Sequence, residues 1–533
     1  MSEQVQEIPG LTGRLRVVAA VVVVAVVVAG IILRFTTHSA LWLDEALTVD
    51  IARLPLHDLP LKLKHDGAPP LFYVLLHFWM RIFGTSDLAT RSLSGVIGVL
   101  TLPVIWLCGR RFGGRATAWT ALVLLASAPF AVYYSTEARM YALVILLTGL
   151  GYLALRRAVE SPRAGNLIAV AVVTAALLYS QYWSLYLVAL VGLWLIGSML
   201  WSARKAEEWR NRVPTLIALA VGCLAFVPWV PTFIYQSQHT GTPWAKPPNF
   251  SAVINAVTGF ADNQGSTSGS GTNQGRLLAI IYLAMAALAL FGVGRSGRTV
   301  ELDLHTRPRA RAISLVVAGT LFAAIAGGEL SSSAFSPRYA AVVFLPLLLL
   351  IALGTTTLLN PRLRAVVVGL AVLAGLFSSY QNINTLRTQA PSVAAVINAQ
   401  AKPGDLIAFC PDQLGPAVYR VVAHQSRYDM ITFPRGTGPQ IVDWVDYEKA
   451  VHHASPTAFA SRLVAKAGTI HHIWLVWQPN YQTYGVRCEQ LATTLLQEPG
   501  YGGHNWVINH PTRYYEPMNL TEYATSAPAS PSP

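Results

Sequence analysis

Charged residues and cysteines are scarce in this chain of 533 residues. Asp, Glu, Lys and Arg together make up 12% of it, whereas 53% is hydrophobic, and the mean hydropathy is +0.44. Soluble domains usually carry about a quarter charged residues, so this composition excludes an ordinary soluble protein and indicates one embedded in a membrane. The four cysteines include no C-x-x-C pair, which argues against a zinc site.

Acidic residues are the scarcer of the two charged classes. The chain has 26 Asp and Glu against 39 Lys and Arg, a formal net charge of +13. In a membrane protein such an excess is typical of cytoplasmic loops that obey the positive-inside rule. No continuous basic segment has aromatic residues interleaved in it, so we expect no nucleic-acid partner.

Eleven apolar stretches approach the roughly 20 residues that a membrane span requires. They predict a polytopic α-helical membrane protein with about eleven transmembrane helices. The first stretch follows Arg14 and Arg16 but has no small-x-small cleavage site after it, so we interpret it as an uncleaved span. The predicted spans are 17–34, 93–109, 116–134, 141–155, 166–181, 183–201, 214–233, 276–294, 312–328, 339–358 and 365–380.

The loops between these spans alternate strictly in arginine content. The Arg-rich set comprises 109–115, 156–165, 203–212, 294–311 and 360–364, and the other set is poor in arginine and rich in aromatics and hydroxyls. This alternation predicts a cytoplasmic N-terminus, a plasma-membrane location and an extracytoplasmic segment at 35–92. Within that segment, 69–84 is too short to span and contains His77 and Arg81, so we predict an in-plane amphipathic helix.

The composition changes after Tyr380. Strand-length apolar runs and helical stretches predict a soluble α/β domain at 381–520 outside the membrane, following a transmembrane domain at 1–380. We predict a disordered tail at 521–533 and a flexible Gly/Ser-rich outer loop at 262–275. Cys410 and Cys488 both fall in the outer domain, where an oxidising environment favours a disulfide between them.

Acids and bases cluster at the outer ends of the predicted spans. Asp44 and Glu45 follow the first span within "LWLDE", and "STEARMY" and "GELSSSAFSPRY" add similar groups at later spans. Charges near a membrane core cost about 2.5–3.5 kcal/mol each, so those retained there are functional candidates. Arginines can bind a phosphate and a carboxylate can accept a proton, which suits transfer from an anionic lipid-linked donor to a hydroxyl. Solvated loop acids and lipid-headgroup contacts are the alternatives. The clustered residues are Asp44, Glu45, Lys64, His65, Asp66, Glu137, Arg139, Glu329 and Arg338.

The acidic pair in "LWLDE", followed by "HDGAPPLFY" and "FGTSDLATRSLSG", resembles the GT-C glycosyltransferases. The likeness is to the branch that contains the protein O-mannosyltransferases and the lipid A aminoarabinose transferase, and it covers roughly 35–345. The resemblance implies a GT-C-like fold and transfer of a sugar from a polyprenyl-phosphate carrier, usually with inversion. The acceptor would be an envelope glycan, a glycolipid or a protein on the outer face.

The resemblance also implies roles for individual residues. Asp44 would be the general base, and Glu45 would orient the acceptor or hold the loop. Arg139, Arg338 and Lys64 would bind the donor phosphate. Gln181 and Tyr182 could contact sugar, although an interfacial aromatic belt also explains them. The remaining pocket residues would be His65, Asp66, Glu137, Glu329 and Tyr339.

The sequence leaves other functions open. A transporter or flippase of lipid-linked sugars would also have many spans, but its charges would lie near the membrane midplane in repeated halves. A non-catalytic envelope assembly protein is a third possibility. We favour mannose over arabinofuranose as the sugar, from a composition typical of high-GC bacteria. The second outer loop has one acid where metal-using relatives have two, so we expect no cofactor, although Asp44, Glu45 and Asp66 could bind a divalent cation.

Overall fold

The fold was obtained as a computed structural model that describes residues 13–201, 206–241, 251–262, 272–296, 299–330, 336–468 and 472–525. Helices dominate the part of the chain before residue 385. They are α1 (Gly13–Leu33), α2 (Leu43–Ala52), α3 (Leu59–Asp66), α4 (Leu71–Phe83), α5 (Asp87–Gly113), α6 (Arg115–Ser127), α7 (Pro129–Ser135), α8 (Tyr141–Glu160), α9 (Ala164–Leu178), α10 (Ser184–Trp201), α11 (Ala206–Leu224), α12 (Val230–His239), α13 (Ser251–Ala261), α14 (Asn273–Phe291), α15 (Pro308–Leu330), α16 (Ala341–Thr355) and α17 (Pro361–Asn384).

Apolar helices occupy every predicted span. Among the described residues, nine helical segments are long and apolar enough to cross a membrane, and α6 with α7 makes a tenth if that bent pair counts as one span. The eleventh predicted span corresponds to α9, which has only 15 residues and is therefore about 22 Å long. The prediction of a multi-pass helical membrane protein is confirmed.

The bend between α6 and α7 is stabilised by an arginine from the first span. The two helices meet at 55°, because Pro129 has no N–H to bond the carbonyl of Leu125. Arg34 is 1% exposed and donates to the carbonyls of Leu125 at 2.8 Å, Ala126 at 3.1 Å and Gly30 at 2.6 Å. The guanidinium thus supplies the Leu125 carbonyl with a donor in place of the N–H that the proline lacks, and it also binds Ala126 and Gly30.

The 35–92 segment contains three short helices, α2, α3 and α4, as the sequence predicts. One face of α4 packs into the protein through Phe72, Tyr73 and Leu76. The opposite face leaves Phe78 and Ile82 47% and 73% exposed. A helix that is apolar on its exposed face as well suits contact with lipid at the membrane surface.

The C-terminal region has the predicted mixture of helices and strands. Its helices are α18 (Ala390–Gln400), α19 (Gly415–Val421), α20 (Tyr447–His453), α21 (Pro456–Ala467) and α22 (Arg487–Gln497). The strands among the described residues are β1 (Gly292–Ser296), β2 (Thr299–Leu302), β3 (Leu386–Thr388), β4 (Leu406–Cys410), β5 (Asp429–Thr432), β6 (Ile473–Trp477), β7 (Tyr501–Val507), β8 (Tyr514–Glu516) and β9 (Asn519–Thr525).

A five-stranded sheet with the order β5-β4-β6-β9-β7 forms the centre of this region. Strands β5, β4 and β6 are parallel, and β9 is antiparallel to both of its neighbours. Strands β3 and β8 form a separate parallel pair, and β1 with β2 forms a hairpin inside the Arg-rich 294–311 loop. Cys410, at the end of β4, is joined by a disulfide to Cys488 in α22.

The predicted end of the C-terminal domain needs a correction. Strand β9 continues through Thr525, five residues beyond the predicted boundary at 520, so 521–525 are not a disordered tail. The strand persists because Leu520 and Tyr523 are buried and β9 is paired on both sides. Residues 526–533, and 263–271 of the predicted flexible loop, lie outside the described residues.

The sidedness of the membrane part is a prediction that cysteine labelling can check. Ser461 in the C-terminal domain and Ala164 at the start of α9 are both exposed. In a Cys223→Ser background, a membrane-impermeant maleimide should label Ser461→Cys in intact cells. It should label Ala164→Cys only after permeabilisation, and the reverse pattern would overturn the predicted topology.

Candidate active site

Asp44 lies in the first turn of α2, where helix N-terminal amides favour an acidic side chain. Its Oδ2 is 2.8 Å from Nη1 of Arg338 and 4.0 Å from Nη2 of Arg139. The three side chains are 16%, 15% and 13% exposed, respectively. The fold therefore brings three predicted site residues, from three distant parts of the chain, to one partly accessible point.

Both arginines keep capacity to bind an anion. Arg139 donates to the hydroxyl of Thr48 at 2.9 Å and to that of Tyr73 at 3.4 Å. The Arg338 guanidinium carbon lies 5.9 Å from the ring centre of Trp42. The Nε of each arginine is buried and has no hydrogen-bond partner among the described residues. Since a guanidinium has five donors in a fixed fork, several remain for a phosphate.

Asp66 is connected to Arg139 through a tyrosine. The Tyr73 hydroxyl donates to Asp66 Oδ2 at 2.6 Å, and the same hydroxyl accepts from Arg139. Burial raises the pKa of Asp66, while Arg139 acts in the opposite direction. Asp66 is therefore linked to Arg139 by hydrogen bonds through Tyr73, and its role in shaping the pocket stays a prediction.

Glu45 is completely buried and its carboxylate is surrounded by donors. Oε1 accepts from Arg91 Nε at 2.7 Å and from the Ala138 N–H at 3.0 Å. Oε2 accepts from Arg91 Nη2 at 2.5 Å and from Arg387 Nη1 at 3.3 Å. Burial alone would raise the pKa of Glu45, but the two guanidinium groups outweigh it and lower the pKa. Of the two roles expected for this residue, the geometry favours holding the loop.

Glu137 is a second buried acid beside this network. It is 1% exposed, and neither of its carboxylate oxygens has a hydrogen-bond partner among the described residues. Burial raises its pKa to about 7, although Arg387 opposes this and Glu45 adds to it. A proton can therefore occupy Glu137 near neutral pH.

Lys64 and His65 face other partners. The Lys64 ammonium lies 4.0 Å from the ring centre of Tyr235, and His65 Nδ1 lies 3.0 Å from Asp443 Oδ1. These contacts tie α3 to α12 and to the C-terminal domain. The contacts that hold Asp44 come instead from Arg139 and Arg338, so donor binding by Lys64 remains a prediction.

The other pocket candidates lie in neighbouring positions. Gln181 donates to the carbonyl of Tyr339 at 3.2 Å, beside Arg338. Tyr182 accepts from the Trp229 indole at 2.9 Å. Glu329 is exposed near the end of α15. The structure thus places Tyr339 next to Arg338 and Gln181 against the Tyr339 backbone.

The three acids considered for a divalent cation do not form a common ligand set. Both oxygens of Glu45 accept from arginines, and Asp44 is engaged by Arg338. The carboxylate of Asp66, by contrast, accepts a hydrogen bond from Tyr73. The donor set does not fit a cation held by all three residues.

Four residues that were not predicted from the sequence hold this site from a distance. Arg91 stands in the quoted "FGTSDLATRSLSG", so its position at the mouth of a span could have singled it out. Arg387, Tyr515 and Glu516 come from the C-terminal region and carry no local signal. The ring of Tyr515 meets that of Trp42 edge-on, with centres 5.1 Å apart, and Glu516 accepts from the Leu43 N–H at 3.3 Å.

Comparison with known proteins agrees with the resemblance seen in the sequence. A family model described as dolichyl-phosphate-mannose-protein mannosyltransferase matches residues 67–231. This range contains Arg91, Glu137 and Arg139, whereas Asp44 and the C-terminal region lie outside it. No curated protein matches the chain in sequence.

Two solved structures share the architecture. The structure of ArnT from Cupriavidus metallidurans bound to undecaprenyl phosphate has a TM-score of 0.58 and 14% identity, covering 96% of this chain and 99% of that one. The Archaeoglobus fulgidus oligosaccharyltransferase in complex with zinc and sulfate has a TM-score of 0.54 and 12% identity, covering 95% of this chain and 73% of that one. The fold predicted from the sequence resemblance is confirmed by its similarity to these two structures.

Proposed function

From the GT-C fold, we propose that this protein is a membrane glycosyltransferase that moves a sugar from a polyprenyl-phosphate carrier to a hydroxyl group. The observation that carries the proposal is the position of Asp44 between Arg338 and Arg139. A partly accessible carboxylate held by two arginines combines a proton acceptor with an anion-binding site. Such a pair of functions suits transfer from a phosphate-linked donor.

The Asp44 carboxylate occupies the position of an anion between the two arginines. Arg338 donates to it at 2.8 Å. A donor phosphate carries more negative charge and more acceptor oxygens than a carboxylate, so it can draw the guanidinium groups to itself. Donor binding would then release the Asp44 carboxylate at the moment when a base is needed.

The proposed reaction is a single displacement. Asp44 accepts the proton of the acceptor hydroxyl, whose oxygen attacks the anomeric carbon from the side opposite the phosphate. The bond between that carbon and the phosphate oxygen breaks, and the electron pair leaves with the polyprenyl phosphate. Arg139 and Arg338 offset the charge that develops on the leaving group, and the displacement inverts the anomeric configuration.

The finer identity of the substrates is also a proposal. We favour mannose as the sugar, with arabinofuranose next, and an envelope glycan, glycolipid or protein as the acceptor. Mannose is supported by the description of the family model that matches 67–231. We propose that transfer is metal-independent, since the three candidate acids do not form a ligand set, and that it takes place on the extracytoplasmic side.

Replacing Arg338 should weaken donor binding. Loss of a charge-assisted hydrogen bond to phosphate typically costs about 1.5–3 kcal/mol, so Arg338→Ala should raise the dissociation constant for undecaprenyl phosphate by about 10- to 100-fold. Binding can be measured on purified protein in nanodiscs, together with transfer from undecaprenyl-phosphate mannose and arabinofuranose.

Arg111→Ala is the matched control for this experiment. Arg111 is a half-exposed arginine whose partner is Glu160, at 3.1 Å, far from Asp44 in the chain. It should leave binding unchanged. Equal affinities of wild type and Arg338→Ala would remove the phosphate site from the proposal.

A further inference from the structure

The N-terminus of α2 is capped by a residue from the other end of the chain. The residue preceding α2, Trp42, makes no side-chain cap, although the first amides of a helix have no partners within the helix. Glu516 provides one instead: its Oε1 accepts from the Leu43 N–H at 3.3 Å, across 473 residues of sequence. Leu43 directly precedes Asp44, so this contact is made at the residue next to the proposed base.

The strand that carries Glu516 is itself fixed to the network around the acidic pair. Strand β8 pairs with β3 in parallel, with Glu516 opposite Thr388. The neighbouring residue on β3 is Arg387, which binds Glu45 at 3.3 Å and the Thr136 carbonyl at 3.0 Å. The β3–β8 pair therefore binds both the Leu43 backbone and the Glu45 side chain in the first turn of α2.

The surroundings of Glu516 suit a neutral acceptor. The residue is 7% exposed, and its second oxygen, Oε2, has no hydrogen-bond partner among the described residues. Burial raises the pKa of Glu516 to about 8 and Asp44 adds to this, whereas the hydrogen bonds from Thr388 and from the Leu43 N–H lower it. At neutral pH its carbonyl oxygen can thus accept from the amide without placing a second charge beside Asp44.

We propose that Glu516 is a positioning residue of the active site, which holds the first turn of α2 so that the Asp44 carboxylate meets Arg338 and the acceptor. This inference rests on the proposed function. It assigns to the C-terminal domain a part in catalysis, because without β8 the helix that carries the base loses its cap. Glu516 touches neither donor nor acceptor in this assignment.

Two substitutions of Glu516, which differ in whether the side chain can accept a hydrogen bond, test this positioning role. Glu516→Leu removes the acceptor at similar size, whereas Glu516→Gln keeps an oxygen in the place of Oε1. We expect Glu516→Leu to lower kcat by about 10- to 100-fold, the usual effect of a small displacement of a catalytic group, with KM for the donor nearly unchanged. The Glu516→Gln variant should have a kcat close to the wild-type value. A residue that served only the stability of the fold would not produce this difference in kcat between the two variants.

Amide hydrogen exchange gives a readout that does not need activity. In Glu516→Leu, amides in the first turn of α2 should exchange faster than in the wild type, since local opening costs less free energy. They should be protected in Glu516→Gln. Glu522→Leu on β9 is the control, because Glu522 binds His472 within the same domain and should leave α2 unaffected.

The outcomes separate the two proposals. Normal kcat and normal α2 exchange in Glu516→Leu would overturn the positioning role, as would equal defects in the Leu and Gln variants. Absence of sugar transfer by the wild-type protein would contradict the proposed function, while the exchange rates would still decide the role of Glu516. If Glu516→Leu does not fold, Glu516→Asp replaces it, since its shorter side chain falls short of the amide.

Discussion

Asp44→Asn should lower the turnover number by about 10²–10⁴, the usual contribution of a general base. Asparagine keeps the size and polarity of the side chain but cannot accept the acceptor's proton at neutral pH. Donor binding should not weaken, because Arg338 and Arg139 lose a competing carboxylate and keep their positions. The measurement is transfer of labelled sugar from undecaprenyl-phosphate mannose or arabinofuranose, alongside undecaprenyl phosphate binding.

Asp58→Asn makes the same chemical change elsewhere in the same outer segment. Asp58 is an acid with a side chain 48% exposed, beside His57, and we expect this variant to transfer sugar at the wild-type rate. Near-normal turnover in Asp44→Asn would exclude Asp44 as the base. Absence of sugar transfer by the wild-type protein, by contrast, would favour a transporter or a non-catalytic assembly protein over an enzyme.

Glu45→Gln should destabilise the protein by about 3–5 kcal/mol, the typical cost of removing one partner from a buried ion pair. The reason is that Arg91 and Arg387 are 5% and 0% exposed and both bind the carboxylate of Glu45. A neutral amide leaves both charges in the interior without this counter-ion. The loss should appear as a large drop in the thermal midpoint of the detergent-purified protein.

Glu160→Gln is the matched control for charge removal. Glu160 pairs with Arg111 and Arg156, but its side chain is 50% exposed, and exposed pairs contribute about 0–1 kcal/mol. Its midpoint should therefore stay close to the wild-type value. A Glu45→Gln protein as stable as Glu160→Gln would show that the arginines are compensated by groups other than Glu45.

Much of the membrane fold follows from the sequence because lipid imposes length and polarity on each span separately. Runs of apolar residues between Arg-rich and Arg-poor loops therefore located every membrane helix to within a few residues. The kink at Pro129 could have been suspected, but the partner that stabilises it, Arg34, lies 91 residues before Leu125. No local pattern connects the two.

In the candidate site, too, some residues could be grouped from the sequence, whereas others are brought in only by the tertiary fold. Asp44, Arg139 and Arg338 could be grouped because each stands at the predicted outer end of a span, so the predicted topology alone placed them on one face. The partners of Glu45 could not be assigned in this way. Arg387 is an ordinary residue of a short strand, and only the docking of that strand 342 residues away makes it a counter-ion. Glu516 likewise acquires its contact with Leu43 only through the tertiary fold.

The contact of Arg34 with the carbonyls of Leu125 and Ala126 has a consequence for biosynthesis. The first span leaves the ribosome with its arginine about 90 residues before those carbonyls exist, an interval of roughly 5–20 seconds at ordinary elongation rates. During that time the guanidinium must be kept hydrated or held by the insertion machinery. We infer that α1 enters the lipid early but becomes fixed to the bundle only when the bent α6–α7 pair has been synthesised, so that the first span waits for the third before it is held in place.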